Sequence, residues 1–180
     1  MRIIAGKYRA KALKSPKSGY VRPTSDRARE ALFNILNSKL NGDWENCLFL
    51  DVFAGTGAIG LEALSRGAQR VGFVDINPKN LWQNIKLFPQ ENAKIKVYKC
   101  AVERLPSASE KYNLVFLDAP YEKSLSESAI LTLSQKNWLE NSAIVVVETQ
   151  KDEKFEFPQS FALFDERIYG PAKFHFLQFC

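Results

Sequence analysis

Apolar positions along the chain follow two different spacings from residue 47 onwards. Short apolar runs predict buried parallel strands at 47–53, 70–75, 94–100, 112–118 and 142–148. Between them, helical spacing predicts helices at about 58–66 and 124–137, and Asn77 with Pro78 predicts the start of another. Strands and helices that alternate in this way predict an α/β fold, with an open, mostly parallel sheet and helices on both faces.

The N-terminal part of the chain departs from this alternation. Interleaved apolar and basic residues predict a short hairpin over 2–13, and the Ser, Pro and Gly residues that follow predict a loop. Thr24 or Ser25 is suited to cap a helix that runs to about residue 40. We therefore predict a small extension over 1–23 and a main domain over 24–180.

The C-terminal part predicts an antiparallel hairpin, because Gly170 and Pro171 separate two segments with strand-like alternation. In the second segment His175 alternates with two phenylalanines, so we expect its side chain to face solvent and to take no part in catalysis. Arg29 is also expected on the surface, because it lies off the apolar stripe of the first helix.

Three of the predicted strands end in a carboxylate. Asp51 lies near the end of the first strand, and Asp75 and Asp118 end the second and the fourth. The carboxyl ends of parallel strands share one edge of a sheet, where ligands of such sheets bind. Residues 55–60 (GTGAIG) match the pattern Gly-x-Gly-x-x-Gly between a strand and a helix, which lets the backbone approach a nucleotide. The sequence therefore predicts a nucleoside-binding site at this edge.

The position of Asp51 bears on the cofactor that this turn holds. The glycine pattern alone fits any nucleoside-containing cofactor, including a dinucleotide. A pyrophosphate near Asp51 is disfavoured, because two unit charges about 4 Å apart repel by about 4 kcal/mol at an effective dielectric near 20. S-adenosylmethionine instead carries an ammonium and a sulfonium, which Asp51 attracts, and its ribose suits Asp75. We therefore expect S-adenosylmethionine, with an NAD oxidoreductase as a distant alternative.

Residues 51–57 (DVFAGTG) resemble the first motif of class I methyltransferases, and with Asp75 they resemble the cofactor site of that family. The resemblance implies backbone contacts from the glycine-rich turn to the methionine moiety and an adenine slot after the third strand. Cys100 stands where many relatives have an acidic or amide residue, and we interpret it as a small apolar residue that ends the strand. The implied cofactor-binding residues are Asp51, Phe53, Gly55, Thr56, Gly57, Asp75, Ile76, Ala101, Val102 and Asp118.

Residues 118–121 (DAPY) resemble the motif [DN]-P-P-[FYW] of amino-group methyltransferases. The lone pair of a base's exocyclic amine is delocalised into the ring, and acceptors for its two hydrogens help to localise it. In this resemblance the catalytic residues are Asp118, Ala119, Pro120 and Tyr121. The carboxylate of Asp118 and a backbone carbonyl accept the two hydrogens, and Tyr121 stacks on the extruded base, worth about 1–3 kcal/mol. Ala119 replaces the usual proline, which keeps a carbonyl but loses the fixed φ.

The composition excludes several classes of protein. One histidine and the absence of any Cys-x-x-Cys pair argue against a metal site. The three cysteines are far apart and odd in number, so reduced thiols and a cytoplasmic location are expected. Basic residues interrupt every apolar run near the start, and no run approaches about 18 apolar residues, so neither a signal peptide nor a membrane span is expected.

The basic charge is concentrated at the N-terminus. Residues 1–30 hold nine basic and two acidic residues, a net charge of +7, so the other 150 residues carry −2 of the total of +5. Such a segment binds a polyanion or simply keeps a protein in solution, and composition alone does not separate these roles. The candidate RNA-binding residues are Lys7, Arg9, Lys11, Lys14, Arg22 and Arg27.

Residues 2–6 (RIIAG), 22–27 (RPTSDR) and 29–36 (REALFNIL) resemble the bacterial 16S ribosomal RNA guanine-N(2) methyltransferases, the RsmD family. The similarity extends over nearly the whole chain, including residues 60–68 (GLEALSRGA). It implies methylation of the 2-amino group of one guanine, with the hairpin on RNA phosphates of an assembled or assembling 30S subunit. Nothing in the sequence demands more than a monomer. An adenine or amide N-methyltransferase and a non-catalytic RNA-binding assembly factor remain as alternatives.

Overall fold

The computed structural model describes residues 1–15, 26–120 and 125–180, which form one seven-stranded sheet flanked by helices. The strands are β1 (Leu48–Val52), β2 (Arg70–Val74), β3 (Ile95–Tyr98), β4 (Tyr112–Asp118), β5 (Leu139–Gln150), β6 (Phe161–Tyr169) and β7 (Ala172–Phe179). The helices are α1 (Asp26–Lys39), α2 (Ala58–Arg66), α3 (Lys79–Ile85) and α4 (Leu125–Gln135), with 3₁₀ helices at Pro89–Lys94 and Val102–Arg104. No helix within these ranges is long and apolar enough to cross a membrane.

The strand order is β3-β2-β1-β4-β5-β7-β6, in which β1 to β5 are parallel and β7 is antiparallel to both of its neighbours, β5 and β6. The predicted α/β class, the mostly parallel sheet and the C-terminal hairpin are confirmed. Several limits differ by a few residues, and β5 begins at Leu139 instead of residue 142. The strand order reverses at β1, which lies between β2 and β4, and open α/β sheets bind their ligands at such a point.

Side chains that alternate along the strands fill two cores, one on each face of the sheet. Phe49 and Phe116 pack into the core that contains the apolar residues of α1, α2 and α3. Leu50 and Val115 pack into the core beneath α4. The helices α2 and α3 therefore lie on one face and α4 on the other, as right-handed crossovers between parallel strands require.

The N-terminal segment forms a tight hairpin that packs into the first of these cores. Ile3 N donates to the Lys11 carbonyl at 2.9 Å, and Arg2 and Ala12 form an isolated β-bridge where longer strand pairing was expected. Ile3 and Leu13 are buried in the core. The predicted boundary at residue 23 and the predicted caps of α1 lie outside the described residues, so both stay predictions.

The prediction that Arg29 lies on the surface is wrong. Its side chain is 1% exposed, and Nη2 donates to the Arg2 carbonyl at 2.7 Å and to an Asp26 carboxylate oxygen at 2.8 Å. The apolar stripe of α1 marks only the side of the helix that packs on apolar residues. It does not reveal the burial of Arg29, because the N-terminal hairpin covers the side of α1 that carries Arg29. Arg29 thus joins the N-terminal hairpin to the first turn of α1.

The prediction that His175 faces solvent is also wrong. The strand β7 lies between β5 and β6, and the ring of Phe155 lies 5.1 Å from the imidazole, so His175 is buried. Its Nε2 is 3.0 Å from Thr149 Oγ1 and its Nδ1 is 2.7 Å from a Glu166 carboxylate oxygen. Burial lowers the pKa of His175 below its usual value. Alternation of apolar and polar residues along a strand predicts a solvent-exposed face only where no other segment covers that face of the sheet. Here the segment that contains Phe155 covers His175.

Candidate active site and nucleic-acid interface

The three carboxylates predicted at the strand ends lie at one rim of the sheet. In the strand register Asp51 pairs with Phe73 of β2 and Phe116 of β4, so Asp75 and Asp118 both lie two residues further toward the rim. Asp51 is buried, and burial together with the charges of Asp118 and Asp75 raises its pKa well above the usual value. Ionising all three carboxylates together is therefore unfavourable as long as no cation lies beside them.

The glycine-rich turn contains residues with left-handed backbone conformations, and backbone hydrogen bonds hold the turn against this rim. Phe53 has φ +61°, which is unusual for a residue with a side chain, and Gly55 and Gly57 have φ +57° and +76°. Gly55 N donates to Asp75 Oδ2 at 2.7 Å, so the turn is tied to the end of β2. The other oxygen of Asp75 accepts from Asn77 N at 2.7 Å. Each oxygen keeps a lone pair for a further donor such as a ribose hydroxyl.

The glycines nearer to α2 are required by close packing. Gly57 precedes α2, and a Cβ on it would overlap the Leu81 side chain of α3. A Cβ on Gly60 would overlap the Phe73 ring of β2, so this glycine lets α2 approach the sheet. Gly60 N also donates to Asp51 Oδ2 at 2.9 Å. The two glycines thus let α2 pack closely against α3 and the sheet, and the amide of Gly60 holds the carboxylate of Asp51.

Asp118 ends β4 and is accessible at its surface, but enough protein surrounds it that desolvation raises its pKa to about 6. Ala119 is half-buried and Pro120 is exposed directly after it. Tyr121, the predicted stacking residue, lies outside the described residues. At neutral pH Asp118 is therefore mostly ionised and open to a polar ligand.

The residues predicted to hold the adenine follow the ends of β2 and β3. Ile76 is 69% exposed just after Asp75, and Val102 is buried at the start of a 3₁₀ helix. Cys100 and Ala101, which directly precede Val102 in the chain, are half-buried, and burial raises the pKa of the Cys100 thiol. The residues predicted to hold the adenine therefore carry apolar side chains and one neutral thiol.

Sequence reasoning missed the polar residues that hold the hairpin on α2. Buried Glu62 accepts from Ile4 N at 2.7 Å and from Ala5 N at 3.0 Å. Ser65 Oγ accepts from Tyr8 N and donates to the Ala5 carbonyl. Both side chains lie within an otherwise apolar helix, and buried polar groups need partners, so their presence there was a usable signal.

The hairpin is also held from the α3 side. Asn84 exchanges hydrogen bonds with the backbone of Lys14, and its Nδ2 also donates to the Thr56 carbonyl in the glycine-rich turn. At the other end, Lys7 N donates to the Ser65 carbonyl near the end of α2. The hairpin thus runs along α2, with its tip near the C-terminal end of this helix and its open end beside the glycine-rich turn.

The predicted RNA-binding residues differ in whether their charged groups already contact other groups of the protein. Arg9, Lys14 and Arg27 are exposed and form no ion pair within the described ranges. Lys7 Nζ is 2.7 Å from a Glu91 carboxylate oxygen, and Lys11 Nζ lies over the Tyr8 and Phe88 rings. Arg22 lies outside the described residues.

Tyr8 packs within the protein. Its ring makes an edge contact with Phe88, at 5.0 Å between centroids, and its hydroxyl donates to Glu91 at 2.7 Å. The bonds from Lys7 and Tyr8 lower the pKa of Glu91 to about 2, so Glu91 stays charged.

The part of the chain that the structure describes contains no group of three or more His, Cys, Asp or Glu residues suited to a metal ion.

The sequence matches the family described as conserved hypothetical protein 95 over residues 1–178. The chain belongs to this family. Two curated relatives are named Ribosomal RNA small subunit methyltransferase D. The one from Haemophilus influenzae is 35% identical over 99% of this chain and 93% of its own length. The one from Escherichia coli is 33% identical over 99% of this chain and 89% of its own length. The resemblance to this methyltransferase D family is confirmed.

Solved structures confirm the fold of this member of the family. An Escherichia coli protein superposes with a TM-score of 0.84 at 32% identity, over 99% of this chain and 97% of that one. The 1,6-didemethyltoxoflavin-N1-methyltransferase of Burkholderia thailandensis, solved with S-adenosylhomocysteine, superposes with a TM-score of 0.67 over 87% of this chain and 80% of that one. At 14% identity, the second comparison shows the fold alone. The protein has the class I methyltransferase fold.

Proposed function

We propose that this protein transfers a methyl group from S-adenosylmethionine to the exocyclic 2-amino group of a guanine in small-subunit ribosomal RNA. The observation that carries the proposal is the placement of Asp51, Asp75 and Asp118 on one rim, beside a glycine-rich turn and the open end of a basic hairpin. The family membership supports the same chemistry and the same class of RNA.

The residues at the rim fit a cationic cofactor. Burial and the two neighbouring carboxylates disfavour the charged form of Asp51 in the free protein, and a bound ammonium or sulfonium relieves this cost. Asp75 would accept hydrogen bonds from the ribose hydroxyls, and Ile76, Ala101 and Val102 would contact the adenine. The glycine-rich turn, with Phe53 and Thr56, would hold the methionine part. S-adenosylmethionine supplies an activated methyl group to an amine held in line with it.

Asp118 and the residues after it would act on the guanine. The carboxylate of Asp118 accepts a hydrogen of the 2-amino group, and a carbonyl of Ala119 or Pro120 accepts the other, so the nitrogen lone pair is directed toward the methyl group. Asp118 then takes the proton late in the transfer, which its pKa of about 6 allows. Tyr121 would stack on the base once the base leaves its helix.

The hairpin would bind the RNA by its phosphates. Arg9 at its tip and Lys14 at its open end are exposed, and the backbone of Lys14 is linked through Asn84 to the glycine-rich turn. Phosphate contacts position RNA without reading its sequence, so shape decides which guanine reaches Asp118. We further propose that the protein acts in the cytoplasm as a monomer on an assembled or assembling 30S subunit.

Calorimetric titration tests the cofactor half of this proposal. We expect S-adenosylmethionine to bind the wild type and NAD not to bind. Asp75→Asn keeps the side-chain shape but weakens the acceptor for the ribose, so it lowers affinity for S-adenosylmethionine about 10-fold, a loss of about 1.4 kcal/mol. Binding of RNA without any binding of S-adenosylmethionine would instead support a non-catalytic assembly factor.

A further inference from the structure

A shallow apolar hollow of about 460 Å³ lies between α3 and the edge strand β3, away from the rim that holds the three carboxylates. Its walls come from α3, from the 3₁₀ helix that follows it and from β3. The main lining residues are Trp82, Ile85, Pro89, Asn92, Ile95 and Val97. A hollow of this size suits one planar ring system with its neighbouring atoms.

Trp82 presents its indole to solvent in this hollow. Its side chain is 46% exposed, whereas Trp44 and Trp138 are 5% and 1% exposed. Lys79 lies three residues before Trp82 on α3 and Lys86 four residues after it, and both lysines are exposed. Residues at these spacings share one face of a helix, so the aromatic ring lies between two cations.

The surrounding chain is basic, although the main domain as a whole is not. Residues 76–102 contain five lysines and one glutamate, a net charge of +4, while residues 31–180 together carry −2. The single acid, Glu91, is nearly buried and bound to Lys7, Tyr8 and Lys94. Lys96 lies on the other face of β3, near Ser109, so Lys79 and Lys86 are the cations beside the indole of Trp82. These two charges make the hollow complementary to a polyanion.

The hollow also adjoins the N-terminal hairpin. The tip of the hairpin contacts Phe88 through Tyr8 and contacts Glu91 through Lys7. Phe88 directly precedes the 3₁₀ helix Pro89–Lys94, and the other side of this helix lines the hollow. A chain of phosphates that follows the hairpin tip would thus meet Lys86 and the indole of Trp82 next.

We infer that the hollow binds an unpaired base of the RNA substrate, stacked on Trp82, with the flanking phosphates near Lys79 and Lys86. A cationic surface with an accessible aromatic ring is the arrangement that single-stranded nucleic acids recognise, because every base has a face that can stack. Asn92 at the wall supplies a donor and an acceptor for a base edge. This inference rests on the proposed function, since it takes RNA as the substrate.

Tryptophan fluorescence tests the stack, because Trp82 is the exposed indole of the three. We expect a single-stranded oligoadenylate to quench it and inorganic polyphosphate, which has no bases, to bind without quenching. Trp82→Ala should weaken oligoadenylate binding about 5- to 150-fold, the range expected for one base–aromatic stack, and leave polyphosphate binding unchanged. Trp82→Phe should restore most of the affinity, because it keeps a ring.

Ile168→Ala is the matched control, because Ile168 is 52% exposed on β6 at the far edge of the sheet. Wild-type affinity for oligoadenylate in Trp82→Ala would overturn the inference, as would an equal loss of polyphosphate binding. Quenching by a polyglutamate peptide as strong as that by oligoadenylate would assign the hollow to an acidic protein and overturn it too. Binding of S-adenosylmethionine to the same variants shows separately whether the proposed function holds.

Discussion

At the scale of single residues, the glycine-rich turn shows two different reasons for a glycine. Gly55 has φ +57°, and a Cβ there would make only an ordinary contact, 3.9 Å from the Phe53 carbonyl oxygen, so only the backbone conformation at Gly55 disfavours a side chain. Gly57 has φ +76° and also lies against Leu81, so a side chain there meets both strain and overlap. The motif predicts the turn, but only the packing of α3 tells the two glycines apart.

Alanine substitutions should separate these two reasons. We expect Gly55→Ala to lower the free energy of unfolding by about 1–2 kcal/mol, from backbone strain alone. Gly57→Ala should lower it by about 2–5 kcal/mol, because overpacking against Leu81 adds to the strain. Urea unfolding of both variants measures the difference, and equal losses would show that the overlap is relieved without cost.

The raised pKa of Asp118 predicts how the rate of methyl transfer depends on pH. Its pKa is raised to about 6, and the proposed role needs the carboxylate form, so methyl transfer should fall as the pH falls through about 6. Asp118→Asn should lower the transfer rate about 100- to 10,000-fold at pH 8 and remove this pH dependence, with cofactor binding largely intact. Single-turnover rates from pH 5 to pH 8 measure both effects. A retained pH profile in Asp118→Asn would assign the titration to another group.

At the scale of elements, the sequence predicts the sheet far better than the N-terminal hairpin. Buried parallel strands are continuous apolar runs that can be recognised without knowing a distant partner, so the sequence alone predicts β1 to β5. The hairpin depends on Glu62, Ser65 and Asn84, whose backbone partners lie more than fifty residues away. Arg29 and His175 were misplaced for the same reason, because a segment distant in sequence covers each of them.

Glu62 should therefore decide whether the hairpin stays docked on α2. Glu62→Ala leaves Ile4 N, Ala5 N and Arg66 Nε without their acceptor, which should cost about 3 kcal/mol. We expect faster hydrogen exchange at the amides of Ile4 and Ala5. Glu45→Ala is the control, since Glu45 is exposed and such changes stay within about 0.5 kcal/mol. Unchanged exchange in Glu62→Ala would show that apolar packing alone holds the hairpin.

At the scale of the whole molecule, the charges fall on separate surfaces. The hairpin and residues 76–102 are basic and lie together around α3, while the rim they flank carries three carboxylates. Such a division lets the protein attract RNA phosphates over a wide surface and keep a cationic cofactor at the rim. Deleting the hairpin would not test this cleanly, because Ile3 and Leu13 are part of the core.

Neutralising exposed charges tests the basic surface without removing core residues. If Arg9 and Lys14 each contact a phosphate, the double variant Arg9→Gln/Lys14→Gln should reduce the slope of log affinity against log salt by about 1.4–1.8. Filter binding to small-subunit ribosomal RNA at several salt concentrations measures this slope. Lys111→Gln is the control, because Lys111 is exposed at the opposite end of β4 from Asp118. An unchanged slope in the double variant would place the phosphate contacts elsewhere.

The most direct test of the central claim is to identify the methylated nucleoside. Small subunits from cells that lack this protein are incubated with S-adenosylmethionine and the wild type or Asp118→Asn, and the ribosomal RNA is digested to nucleosides for mass spectrometry. We predict N2-methylguanosine at one position with the wild type and none above background with Asp118→Asn. A methyl group on adenine, on protein or on no product at all would contradict the account.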